Sequence, residues 1–257
     1  MTPSRRFLGL VATACIVAWV ACASPAQAAL VLQGTRVVFP EQARDVTLRV
    51  ENTGDRPVLA QSWIDDGRVD VPPEKLQVPF IVAPSVARIE PAKSLALRIT
   101  HMQEPLPEDR ESVFWINVLE VPTVDAEEEN RLRFAFRTRI KLFYRPTALR
   151  EGADMASDQL VWKLASAELR ANGQHGGSKD LALEVSNPTP YYISFGLVES
   201  DIGGTYVSGG GGMVAPFGTA RFPLPGVTAR KQRHASVRFM TIDDFGGRTT
   251  TTRALAD

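Results

Sequence analysis

The chain has 257 residues, and its 29 Lys and Arg balance 29 Asp and Glu, so no global basicity points to nucleic acid as a partner. Its two cysteines, Cys15 and Cys22, both lie near the start, and its three histidines, His101, His175 and His234, are scattered. There is no Gly-x-Ser-x-Gly elbow, no His-Glu-x-x-His pair and no phosphate loop, so the pattern supports no nucleophile, metal or cofactor, and a non-enzymatic role is expected.

Residues 1–28 read as a signal peptide. Arg5 and Arg6 supply the positive start, an apolar run extends from Phe7 to about Ala21, and Ser24-Pro25-Ala26-Gln27-Ala28 forms a small-residue cleavage site. The run is interrupted by Thr13 and Cys15 and falls short of the ~20 apolar residues of a spanning helix. Ala21-Cys22 has the form of a lipidation site, but Trp19 stands where a branched aliphatic is expected. Cleavage before Ala29 takes away two arginines and no acid, leaving 27 basic residues against 29 acidic. It also removes both cysteines, so the exported chain, not embedded in a membrane, must rely on core packing rather than disulfides.

Short runs rich in branched and aromatic residues follow in order: Thr35 to Phe39, Asp45 to Glu51, Val58 to Ile64, Phe80 to Ala83, Ser94 to Thr100, Val113 to Val121 and Leu132 to Tyr144. Asp45 to Glu51 alternates strictly, as a strand with one buried face does. Arg145-Pro146-Thr147 stops the last of these runs, and a polar stretch with Gly152 follows. A second group comprises Leu160 to Leu164, Leu181 to Val185, Tyr191 to Val198, Thr205 to Val207, Thr219 to Leu224, Ala235 to Thr241 and Arg248 to Arg253. The expected fold is all-β, with two immunoglobulin-like sandwiches over residues 29–146 and 147–257, set at an angle around a cleft. The Gly209 to Gly212 run reads as a flexible hairpin tip, and Asp244-Phe245-Gly246 as a turn.

Six ordered blocks carry a resemblance. They are Thr35-Arg36-Val37-Val38-Phe39-Pro40, Asp109 to Pro122, Arg139 to Pro146, Asn187-Pro188-Thr189-Pro190-Tyr191-Tyr192, Met213 to Phe217 and Ile242 to Gly247. Together they resemble the periplasmic pilus-assembly chaperones, the PapD-like family, over nearly the whole mature chain. The resemblance implies a boomerang of two sandwiches in the periplasm. It would bind, fold and cap pilus subunits by lending them a β-strand, and then deliver them to an outer-membrane usher.

In this sequence the lent strand is Leu132 to Tyr144, and the family's donor positions fall on Leu132, Phe134 and Phe136, which share one parity. The resemblance also places the cleft pair that grips the subunit's C-terminal carboxylate on Arg36 and Lys141, both suited to an anion. Nine residues separate Leu132 from Lys141, about 30 Å of extended chain, so anchor and donor face can engage one subunit strand. Strict alternation puts Lys141 on the parity opposite the donors. The family's interdomain ion-pair network matches Glu111, Arg145 and Asp244. The acidic connection Pro122 to Asn130 is short, as in the family's short-loop subclass. A free edge of this kind invites pairing, and Arg133, Arg137 and Arg139, or a self-capping dimer, would manage it. The alternative is a secreted Ig-like adhesive or structural module, because fold alone does not decide between them.

Overall fold

A computed structural model describes residues 29–122, 134–166, 180–228 and 236–256. Residues 1–28 with both cysteines, Leu132, Arg133 and the acidic connection beyond Pro122 lie outside the described residues.

The first sandwich is built from β1 (Leu30–Leu32), β2 (Arg36–Pro40), β3 (Asp45–Asn52), β4 (Val58–Asp65), β5 (Phe80–Ala83), β6 (Val86–Ile89), β7 (Ser94–His101), β8 (Ser112–Pro122) and β9 (Phe136–Arg145). One sheet has the order β1-β3-β7-β5 and the other β2-β9-β8-β4-β6. Alternation decides which side chains the sheets trap between them. Leu48 and Val50 of β3, Leu97 and Ile99 of β7, Ile116 and Val118 of β8, and Ile140, Leu142 and Tyr144 of β9 all point inward. At one end of this core Phe39, Phe80, Phe114 and Tyr144 pack as an aromatic cluster, with Phe80 and Phe114 edge to face at 5.0 Å.

The second sandwich contains β10 (Val161–Ser166), β11 (Asp180–Ser186), β12 (Ile193–Ile202), β13 (Thr205–Val214), β14 (Thr219–Thr228), β15 (Ser236–Ile242) and β16 (Arg248–Ala254). Its sheets run β10-β11-β14 and β13-β12-β15-β16. The core forms around Trp162, 2% exposed, which lies against Phe195, Phe222 and Phe239. Each sandwich has its own apolar interior, and no disulfide bridges either, since the two cysteines are Cys15 and Cys22. The expected all-β, two-sandwich immunoglobulin-like architecture is what the chain adopts.

The glycine run corrects the hairpin-tip expectation: Ser208 to Gly212 belongs to β13 and pairs with β12, with register shifts between Phe195 and Glu199. The turn is instead at Gly203 and Gly204, both at positive φ. The glycines are needed for close approach. A Cβ at Gly209 would lie 2.8 Å from the Phe222 Cβ, and one at Gly212 would lie 2.9 Å from the Phe222 ring. Absence of side chains, read as flexibility, here lets one strand press against a core phenylalanine.

Between the sandwiches, Pro146 follows the end of β9, and 3-10 turns cover Thr147–Leu149 and Ala156–Gln159. The Thr147 N–H donates to Glu41 of the first sandwich at 2.7 Å, while the Tyr191 hydroxyl of the second donates to the Glu151 carbonyl. The connection is therefore fastened from both sides.

Candidate functional site

The strand β9 divides its side chains between two environments. Its even residues from Ile140 to Tyr144 enter the core of the first sandwich. Its odd residues Lys141, Phe143 and Arg145 meet the second: Lys141 Nζ donates to Ser194 Oγ at 2.8 Å, the Phe143 ring lies 6.0 Å from that of Tyr192, and Arg145 reaches Asp244. The register along β8 and β9 is unbroken from Ser112 with Tyr144 to Glu120 with Phe136, so no bulge reorients the strand. Lys141 reaches the junction by plain alternation, because the outer face of this sheet is the one that abuts the second sandwich.

Arg36 is brought to the same place by a parallel pairing. Residues Arg36 to Pro40 of β2 lie alongside Lys141 to Arg145 of β9, with Arg36 directly opposite Lys141. All the other pairings among the described residues are antiparallel. Arg36 Nη1 donates to the Ile242 carbonyl at 2.8 Å, and its buried Nε has no hydrogen-bond partner among the described residues. Burial lowers the Lys141 pKa from its ordinary 10.5 to about 8, and the neighbouring Arg36 charge adds to the effect. Burial likewise lowers Arg36, against the pull of Asp244 and Asp243. Two half-buried cations side by side, one with an orphaned donor, form a site that an anion would complete.

The edge of β9 is open just before this pair. On one flank β9 is paired with β8 from Phe136 onward, whereas on the other β2 begins only at Lys141. Among the described residues, the main chain of Phe136 to Ile140 thus has no partner strand on that flank. Regular strand starts at Phe136, and Phe134 and Ala135 precede it outside the strand. Phe134 and Phe136 continue the parity of Ile140, Leu142 and Tyr144, but they lie beyond the sandwich interior: Phe134 is 54% exposed, and the two rings are 6.3 Å apart. The core stripe of the strand runs out into solvent. Leu132, the third expected donor, lies outside the described residues.

Arg137 and Arg139 do not simply project from the edge. The Arg137 guanidinium lies 4.9 Å from the Trp63 ring centre and that of Arg139 4.5 Å from Trp115. Arg139 Nε also donates to the buried Asp65 carboxylate at 2.9 Å, which accepts from Asn117 as well. This lattice occupies Asp65, which stands two strands from Lys141 in the same cross-strand row.

The structure brings Glu111, Arg145 and Asp244 together. Arg145 Nε donates to Glu111 at 2.7 Å, and its Nη1 and Nη2 donate to Asp244 at 2.7 and 2.9 Å. Glu111 is 3% exposed and also accepts from the Tyr192 N–H at 2.8 Å. Burial alone would lower Arg145, but its bonds to Asp244 and the Glu111 charge outweigh it and hold the guanidinium above its ordinary pKa. Asp244 is presented by a turn in which Asp243 Oδ1 accepts from the Phe245 and Gly247 N–H groups. Ser194, the Ile242 carbonyl and Asp65 were not marked by the sequence. Each acts through a partner 53 or more residues away, which local pattern does not register.

Residues 29–150 match the family described as the pili and flagellar-assembly chaperone, PapD N-terminal domain, and residues 155–253 match the PapD C-terminal domain. The chaperone protein FimB/FhaD of Bordetella pertussis is 40% identical, with 98% of each chain covered. The chaperone protein HifB of Haemophilus influenzae is 34% identical over 88% of this chain and 87% of its own. Among solved structures, the CupB2 chaperone of Pseudomonas aeruginosa is 50% identical, with a TM-score of 0.72 over 88% of this chain and all of that one. The SafB chaperone of Salmonella enterica, solved in complex with the SafA pilin, is 26% identical, with a TM-score of 0.70 over 90% of this chain and 99% of its own. The chain belongs to the PapD-like pilus-assembly chaperones.

Proposed function

We propose that this chaperone captures pilus subunits by taking the subunit's C-terminal carboxylate between Arg36 and Lys141 and lending the edge of β9 to an incomplete subunit fold. The observation that carries the reading is the position of the cation pair, set where the open edge of β9 ends and β2 begins. A strand pairing with Phe136 to Ile140 stops against β2, so its terminal carboxylate meets the two cations only if it runs parallel to β9. Phe134 and Phe136, with Leu132 before them, then face the subunit's own groove, each contributing about 1.5–3 kcal/mol of apolar burial before ordering costs.

Glu111, Arg145 and Asp244 act at a distance from the subunit, holding the sandwiches so that Ser194 and Ile242 stay beside the cations. In the free protein the same edge is open to a second copy, a self-capping dimer. Delivery from the periplasm to an outer-membrane usher completes the role, as the family resemblance implies.

The test is co-expression with a pilin-type subunit. Periplasmic extract yields a soluble 1:1 complex with the intact chaperone, and Arg36→Ala or Lys141→Ala loses it while melting as a folded protein. Normal complex yield with both variants overturns the reading and favours an adhesive module.

A further inference from the structure

Glu120 lies on the core-facing parity of β8, between Phe136 and Ala60, and is 6% exposed. A carboxylate in that layer requires compensation. Among the described residues its donors are consecutive main-chain N–H groups, Ala29 at 2.9 Å and Leu30 at 3.0 Å, both on Oε2. Ala29 is held from the other side too: its carbonyl accepts from the Thr53 N–H at 2.8 Å and the Thr53 hydroxyl at 3.1 Å. A Cβ at Gly54 would lie 2.8 Å from the Ala29 Cβ, so glycine there admits the residue. The nitrogen of residue 29 is thereby fixed against a buried carboxylate at the start of β1.

The same nitrogen is the one exposed by cleavage after Ala26-Gln27-Ala28. Hydrolysis of the Ala28–Ala29 amide adds water across that bond, leaving a carboxylate on the departing leader and an α-ammonium on Ala29. We propose that Glu120 is the receptor for the N-terminal ammonium of the processed chain, so that leader removal places an ion pair between the two sheets. The precursor offers Glu120 a neutral amide N–H at this position, whereas the processed chain offers a full positive charge with three donors. The cut therefore finishes this corner of the first sandwich. This inference rests on cleavage before Ala29 and stands apart from subunit capture.

The experiment compares protein purified from periplasm, its first residue established by intact mass, with cytoplasmic protein carrying Gly-Ser before Ala29, each with Glu120 and with Glu120→Gln. The expected result is that the extension raises the unfolded fraction about tenfold with Glu120 in place and leaves it nearly unchanged in Glu120→Gln. Equal cost in both backgrounds, or a mature chain that does not start at Ala29, overturns the proposal. Should Glu120→Gln fail to fold, the native-terminus protein alone decides the matter. Acylation of its α-amino group near neutral pH, followed on the N-terminal peptide, is expected to be at least about tenfold slower in the folded than in the urea-unfolded chain. Equal rates overturn the proposal.

Discussion

Lys141 Nζ and Ser194 Oγ lie 2.8 Å apart, and this bond, with that of Arg36 to the Ile242 carbonyl, joins the first sandwich to the second at the point where β2 begins to flank β9. A hydroxyl is a weak partner for an ammonium that is half-buried beside a guanidinium, and the Lys141 pKa falls to about 8 as a result. Binding and folding respond to that shift in opposite senses. A subunit carboxylate restores the charged form, so above about pH 8 capture must take up a proton.

Affinity for a peptide ending in the subunit's C-terminal strand should accordingly fall by up to about tenfold per pH unit as pH rises from about 8 toward 10.5. Over the same window the unfolded chain binds more protons at this lysine than the native one, so Lys141 contributes a gain in stability of the free protein as pH rises. Peptide titrations at pH 7, 8, 9 and 10 check the first part, and Lys141→Arg should flatten the profile. A wild-type affinity independent of pH would remove Lys141 from the anchor.

Phe134 is 54% exposed and outside the regular strand, so Phe134→Glu should leave the melting temperature within a degree or two of the parent. Subunit affinity should drop roughly ten- to a hundredfold, the loss of one buried aromatic side chain. Isothermal titration with a strand-deficient subunit separates this from an anchor defect, because competition by the free carboxyl-terminal peptide at Arg36 and Lys141 should persist.

Arg145→Met removes the counter-charge of Glu111, whose side chain is 2% exposed, and should destabilise the protein by about 3–5 kcal/mol. The double variant Glu111→Gln with Arg145→Met should recover part of that loss, because no uncompensated charge is then buried. Urea unfolding of the single and double variants gives the comparison. Additive losses would contradict the coupling between the two residues.

Gly212→Ala should cost about 1–3 kcal/mol, because the new Cβ meets the Phe222 ring at 2.9 Å. Phe222→Leu removes the ring atoms concerned and should absorb part of the Gly212→Ala cost. It should not rescue Gly209→Ala, whose Cβ would meet the Phe222 Cβ itself at 2.8 Å. Thermal melts of the two pairs distinguish an obstructed strand from a tip that tolerates change.

The long strands were legible because alternation marks them: in β3, Leu48 and Val50 are buried between exposed Thr47, Arg49 and Glu51. β1, of three residues, carries too few side chains to show a period, β6 has only Ala87 and Arg88 between its two branched residues, and β13 hides behind glycines that have none. Arg36, Lys141, Glu111, Arg145 and Asp244 were found through family blocks rather than through any local rule. Their contacts with Ser194, Tyr192 and the Ile242 carbonyl arise from how one sandwich rests on the other. A main-chain carbonyl leaves no trace in a sequence, and the parity of Lys141 could not by itself reveal what its face looks toward.

Because β2 runs beside β9 only from Lys141 onward, the exposed ladder is bounded at one end by the protein's own chain. An arriving strand has a fixed stop, so its register is measured from its last residue and not from its composition. Sliding by two residues would drive the strand into β2 or strand its terminus short of the cations. Under the proposed capture, the stop set by β2 would act as a ruler, by which one scaffold could seat subunits of varied sequence in a single alignment.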